Sequence, residues 1–206
     1  AMGIPCLGPD VNESEQKFSA NKKGEVRFGL SAIKGMGEAA ATNIIAERHK
    51  NGQYKDIFDF IQRVNLSSCN RQCIESLVLS GGFDSFTAMK REDYFATNTK
   101  GDTFIDTLMR YGQLYQVEMS QIRNSLFGDD NAVAISTPPI LKGEPWSDIE
   151  RLNKERELVG IYLSAHPLDE YKVILDNLCN TPCQELEDIQ KLSGREDIVI
   201  GGIVTG

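Results

Sequence analysis

The sequence contains no apolar run approaching the roughly 20 residues that a membrane-spanning helix needs, and no charged-then-apolar leader opens it. Neither a membrane partner nor secretion is indicated. Cysteine is scarce and odd in number: Cys6, Cys69, Cys73, Cys179 and Cys183. That disfavours a disulfide framework and fits a reducing cytoplasm. With 18 Gly and 7 Pro in 206 residues, the chain is neither collagen-like nor low-complexity throughout. Basic residues are also in deficit, 22 Lys plus Arg against 30 Asp plus Glu, for a net charge of −8. Phosphate-gripping proteins usually carry a basic footprint, so the total argues against a nucleic-acid partner.

That argument assumes an even distribution. Residues 1–111 hold 14 basic and 14 acidic residues, whereas residues 112–206 hold 8 and 16, so the whole excess lies in the second half. Within the first half, residues 17–71 carry 10 basic and 5 acidic residues. A basic face can therefore sit inside an acidic chain. A boundary near residues 112–145 is the natural reading.

The expected fold class is mainly α: short helices, a linker, a second helical segment and a terminal strand. Residues 3–14 read as irregular, and Val26–Leu30 as a short strand after the Lys22-Lys23-Gly24 turn. Ala41, Ile44, Ile45 and Arg48 predict a helix over about 38–50, stopped at Asn51-Gly52. Ile57, Phe60, Ile61 and Val64 predict the next. Asn70 is a candidate N-cap, with Cys73, Ile74, Leu77 and Val78 on one face and Gly81 as the stop. Helices over 91–98 and 103–116 follow. Residues 128–145, broken by Gly and Pro, read as a linker. Ser147 and Glu150 form a capping-box pair. Leu168, Tyr171, Leu175 and Leu178 mark one helix side, Leu186 and Ile189 another short helix, and Ile198–Val204 a strand.

The motif with chemical content is Ile33-Lys34-Gly35-Met36-Gly37-Glu38, followed by Ala41 and Ile44. Both glycines are expected to take positive φ and to let backbone approach a ligand. Gly37 opens a helix whose first N–H groups, with the helix dipole, suit a phosphate. Ile33, Met36 and Ile44 are expected to hold the flanking elements together, and Ala41 to permit close crossing. The pattern resembles the helix-hairpin-helix, a module that grips the DNA backbone without reading its sequence. A Rossmann fingerprint fails, because the third glycine and the βαβ context are missing.

The wider string is more specific. Pro9-Asp10-Val11-Asn12-Glu13-Ser14, Val26–Gly37, Ile57-Phe58-Asp59-Phe60, Gly81–Phe86 and Glu155–Leu168 occur in an order that resembles the bacterial DNA polymerase III alpha subunits, the C-family replicative polymerases. The resemblance implies a lead-in from the fingers region over 1–30 and a tandem helix-hairpin-helix domain over 31–118. A clamp-binding peptide and linker would follow over 119–145, a helical segment over 146–195 and the first strand of a truncated OB domain over 196–206. It implies that Lys34, Gly35, Met36, Gly37 and Glu38 contact duplex DNA phosphates, supported by Lys22, Lys23 and Arg27. The stretch 57–86 would be a second, degenerate hairpin. Sliding-clamp ligands resemble Gln-x-Ser/Asp-Leu-Phe. Here Ser125, Leu126 and Phe127 match, Arg123 replaces the Gln, and Gln121 lies just upstream. Duplex DNA, a sliding clamp and other replicase subunits are the implied partners. The family's catalytic aspartates and their Mg2+ belong to a palm domain outside these residues, so no cofactor and no catalytic residue is expected here.

Other readings stay open. Asp56 falls where a helix-hairpin-helix glycosylase carries its catalytic Asp, although Gln53-Tyr54-Lys55 replaces the expected Gly/Pro stretch. The hairpin could instead only pack helices within a protein-interaction segment. The two Cys-x-x-x-Cys pairs are read as buried or turn cysteines rather than a zinc site. Asp56 with Asp59, and Glu155 with Asp148, are read as solvated faces. His49 is read as a surface residue, and His166 as part of a turn that caps a helix.

Overall fold

The computed structural model describes residues 5–124, 135–187, 192 and 197–203. It contains three two-residue strands, β1 (Cys6–Leu7), β2 (Ser19–Ala20) and β3 (Val26–Arg27). The helices are α1 (Glu38–Asn51), α2 (Ile57–Arg63), α3 (Arg71–Ser80), α4 (Phe104–Asn124), α5 (Asp148–Val159) and α6 (Lys172–Leu178). Short 3-10 turns lie at Leu30–Ala32, Arg91–Phe95, Asp169–Tyr171 and Cys183–Glu187. The chain divides into two compact units, residues 1–164 and 165–206.

In the first unit, β3 is the middle strand. It pairs in parallel with β1 (Cys6 opposite Val26) and antiparallel with β2 (Ser19 opposite Arg27). The segment 3–14, expected to be irregular, thus supplies one strand, because its pairing partner lies some distance along the chain. Local signals place the helices. Asp56 caps α2 by accepting from the Asp59 amide, and Asn70 caps α3 by accepting from the Cys73 amide. Gly81, at φ 87°, ends α3 in the left-handed region that glycine favours. Ser147 and Glu150 form the expected capping box at α5.

The core is aromatic at its centre. Tyr54 meets Phe60 at 4.8 Å, Phe60 meets Phe83 at 4.9 Å, and Phe83 stacks on Phe86 at 5.7 Å between ring centroids. Helix α4 crosses α2 so closely that a Cβ on Gly112 would stand 2.3 Å from Ile61 Cγ2. From α4, the Gln116 amide donates to the Ile61 and Val64 carbonyls at 3.1 and 2.9 Å, satisfying the end of α2.

Several expectations change. The stretch 91–98 forms a 3-10 turn over Arg91–Phe95 only, and α4 runs to Asn124 rather than ending near residue 116. The compact units divide after Ser164, not within 112–145, because α5 packs on α3. The described part of the linker is aperiodic but anchored. The Gly143 amide and the Lys142 ammonium both bond to buried Asp93, each at 3.0 Å.

Glu155 is not on a solvated face. It is 1% exposed, pairs with Arg91 at 3.0 Å, and accepts from the Leu163 and Ser164 amides at 3.0 and 2.8 Å. Burial pushes its carboxyl up, but the Ser164 hydroxyl and amide, the Leu163 amide and Arg91 outweigh that and hold it below the ordinary glutamate value. Arg48, on the apolar stripe of α1, is likewise buried and donates to the Val11 and Ser14 carbonyls.

In the second unit, Leu175 is half-buried, whereas Tyr171 and Leu178 are exposed. The His166 amide donates to Asp169, and its Nδ1 accepts from the Leu168 amide, forming the capping turn before α6. The 3-10 turn at Cys183–Glu187 carries Leu186, whereas Ile189 lies outside the described residues. Residues 198–203 form no strand, and Val204 lies outside the described residues. Instead of laddering, Val199 is held by the turn at Asn180: its amide donates to Asn180 Oδ1 at 2.9 Å, and its carbonyl accepts from the backbone amides of Asn180 and Thr181.

Candidate nucleic-acid interface

Residues 33–38 form a tight turn between the 3-10 turn at Leu30–Ala32 and helix α1. The first element of the hairpin is therefore a single 3-10 turn. Ile33, Met36, Ala41 and Ile44 are buried and fasten the hairpin to the core, as expected. Lys34, Gly35, Gly37 and Glu38 are exposed.

The two glycines differ. Gly35 has φ +87°, and a Cβ there would stand 2.6 Å from Ser76 Oγ on α3. It is glycine for backbone conformation and for contact with α3. Gly37 has φ −76°, against the expectation of a positive value, and a Cβ there would meet nothing within 4 Å. The fold does not require glycine at 37. What its missing side chain leaves is open space over the start of α1.

That start is uncapped. Gly37 is the N-cap and makes no side-chain hydrogen bond, and the first helical bond runs from the Ala41 amide to the Gly37 carbonyl at 3.1 Å. The amides of Glu38, Ala39 and Ala40 thus precede the first helical donor and face the positive end of the dipole. The exposed Glu38 carboxylate stands in the same first turn. The Lys34 amide, by contrast, is occupied: it donates to the Leu158 carbonyl near the end of α5 at 2.9 Å. No sequence pattern announces that contact, because its two ends lie far apart in the chain. Met36 contributes only backbone, since its side chain is buried with Sδ 3.3 Å from Cys73 Sγ. The neighbouring Cys69 thiol, together with burial, pushes the Cys73 thiol well above its ordinary value, so it stays protonated.

The second hairpin, between α2 and α3, is built differently. Asn70 occupies the α3 start by accepting from the Cys73 amide at 3.0 Å. The pair Gly81-Gly82 lies at the far end of α3 rather than in the hairpin. At α1 no side chain caps any first-turn amide, whereas at α3 Asn70 takes that of Cys73.

The basic residues divide by type. Arg27 donates to the Gly8 carbonyl and pairs with Glu13, so it staples β3 to the lead-in. Arg48 pairs with Glu15, Arg63 with Glu47 and Asp59, and Arg71 with Glu75 and Asp106. Lys17, Lys22, Lys23 and Lys34 are exposed and take part in none of the ion pairs among the described residues. In this region arginine serves the fold, and lysine remains free for solvent or an anion.

Of the other candidates, Asp56 is a helix cap and Asp59 pairs with Arg63. Gln121 is exposed near the end of α4, and Arg123 lies in its last turn. Ser125, Leu126 and Phe127 lie outside the described residues.

Comparison with known proteins bears on this geometry. Residues 3–93 match a family model described as a helix-hairpin-helix motif. The DNA polymerase III subunit alpha of Chlamydia muridarum is 36% identical over 92% of this chain. Those of Aquifex aeolicus and Thermus aquaticus are 32% and 31% identical, each over 99% of it. The chain is homologous to one segment of the DNA polymerase III alpha subunits. It spans 15–16% of the length of these three relatives. The stretches shared with DNA polymerase III alpha cover both the hairpin and the α5 region that supports it. Among the described residues, no helix is long and apolar enough to cross a membrane.

Proposed function

We propose that this segment binds the backbone of duplex DNA, without regard to sequence, as part of a replicative DNA polymerase. The observation that carries the reading is the uncapped start of α1, overlain by open space at Gly37. Three amides and a helix dipole converge where one phosphate oxygen can accept from them. Exposed Lys34 adds charge within the hairpin, and exposed Lys22 and Lys23 in the β2–β3 turn are the supporting cations of this reading. Arg27, spent on Glu13 and Gly8, drops out of the supporting set. Backbone amides recognise phosphate and not base edges, so the contact positions DNA without reading it.

Titration of duplexes of unrelated sequence across a salt series tests this. Equal affinities, with log K falling by about 0.9 per neutralised phosphate for each unit of log salt, are expected. Absence of duplex binding at low salt overturns the reading.

We also propose that Gln121, Arg123, Ser125, Leu126 and Phe127 form a peptide that docks on a sliding clamp, tethering the polymerase. Support comes from the Ser-Leu-Phe match and from the exposure of Gln121. Leu126→Ala and Phe127→Ala should each abolish retention on immobilised clamp, whereas equal retention of both variants contradicts the proposal.

A further inference from the structure

Phe18 is 54% exposed and is the one phenylalanine among the exposed large apolar residues of the described chain. It is not loose. Its ring meets buried Phe28 edge-to-face at 4.6 Å between centroids, so a core residue props it outward. The backbone around it is fixed as well. The Leu30 amide donates to the Glu15 carbonyl at 2.9 Å, and the Ser31 amide to the Gln16 carbonyl at 3.1 Å. A Cβ on Gly29 would stand 2.4 Å from the Lys17 carbonyl carbon. The segment 15–18 therefore runs directly against 28–31, the turn that opens into the hairpin.

Charge along the chain near this residue is mostly positive. Residues 16–37 contain Lys17, Lys22, Lys23, Arg27 and Lys34 against a single acid, Glu25. Arg27 is spent on Glu13, and Glu25 accepts from Asn21. Glu15, the nearest upstream acid, is engaged by Arg48. Lys17, Lys22, Lys23 and Lys34 make none of the ion pairs among the described residues. A held, outward aromatic with exposed lysines close by in sequence is the composition of a base-stacking platform for single-stranded nucleic acid. It does not fit duplex backbone alone, which offers no exposed base face.

We infer that Phe18, with Lys17, Lys22 and Lys23, forms a second contact that stacks an unpaired DNA base beside the duplex-gripping hairpin. The surface then takes a junction, with duplex on the α1 start and a single-stranded extension on Phe18. This rests on the hairpin reading for its duplex half only.

The test uses the 206-residue chain and three DNA probes: a blunt duplex, the same duplex with a single-stranded tail, and the free single strand. A tail should tighten binding about tenfold, the size expected for one stacked base. Phe18→Ala should erase that gain and leave blunt-duplex affinity unchanged. Phe18→Trp, which keeps a π-face, should retain it. Phe18→Ala should lower melting by a few degrees, through loss of the edge-to-face contact with Phe28 worth about 0.5–1.5 kcal/mol, and leave the chain folded at the assay temperature. An equal tail gain in wild type and Phe18→Ala, or no gain at all while the blunt duplex binds, overturns the inference. If the blunt duplex fails to bind, the hairpin reading falls by itself. Phe18-dependent binding of the free strand then upholds the platform, and Phe18-independent or absent strand binding overturns it.

Discussion

Gly35 and Gly37 belong to one motif and answer to different demands. Gly35 is held by the fold, at φ +87° with Ser76 Oγ in the path of any Cβ. Gly35→Ala should lose at least about 1–2 kcal/mol from the left-handed backbone alone. For a chain of this size that is about 2–8 °C in thermal melting. Gly37→Ala places a methyl in open space and should leave melting nearly unchanged, apart from a few tenths of a kcal/mol at the N-cap. Its effect should fall on DNA. Glu38 predicts the opposite sign: Glu38→Gln removes an anion from the proposed phosphate site and should tighten duplex binding, while losing about 0.3–1 kcal/mol of helix stability. Anisotropy titrations beside melting curves separate these outcomes.

Glu155 supplies a pH test at the same scale. Its folded-state carboxyl sits below the ordinary glutamate value of about 4.3. Its contribution is therefore fully present above that value and lost as pH falls through the lower, folded value. Glu155→Gln should lose about 1.5–3 kcal/mol near neutral pH, since it removes one of the two carboxylates on buried Arg91, which keeps Asp84. The gap in melting temperature between variant and wild type should close as pH drops below about 4.

At the scale of elements, what was legible in the sequence was local. Asn70, Gly81, Asn51-Gly52 and the Ser147–Glu150 pair sit within a turn of the ends they control, so their spacing alone placed α1, α3 and α5. What was hidden depends on distant partners. The β1–β3 pairing, the bond from the Lys34 amide to Leu158 and the burial of Glu155 by Arg91 all join residues far apart in sequence. The strand expected near the end of the chain failed for the same reason, because apolar residues in a row do not supply a partner. The site was half legible. The motif named the hairpin residues, but only geometry distinguished an open α1 start from an α3 start closed by its own cap. Asn70→Ala should thus lower stability by about 1 kcal/mol, read as a melting shift, without changing duplex affinity.

For the whole molecule, net charge misleads because it averages an acidic second half with a first half of equal basic and acidic count. Arg27, Arg48, Arg63 and Arg71 pair with nearby carboxylates, whereas Lys22, Lys23 and Lys34 are exposed and make none of the ion pairs among the described residues. Backbone amides at α1 add positive potential that no residue count includes. The central claim is that this open helix start, rather than bulk charge, grips DNA. Comparing blunt-duplex affinity of Gly37→Ala with wild type tests it most directly, because the substitution alters neither net charge nor core packing. The account predicts binding weakened several-fold at unchanged melting temperature, and equal affinity of the two proteins would contradict it.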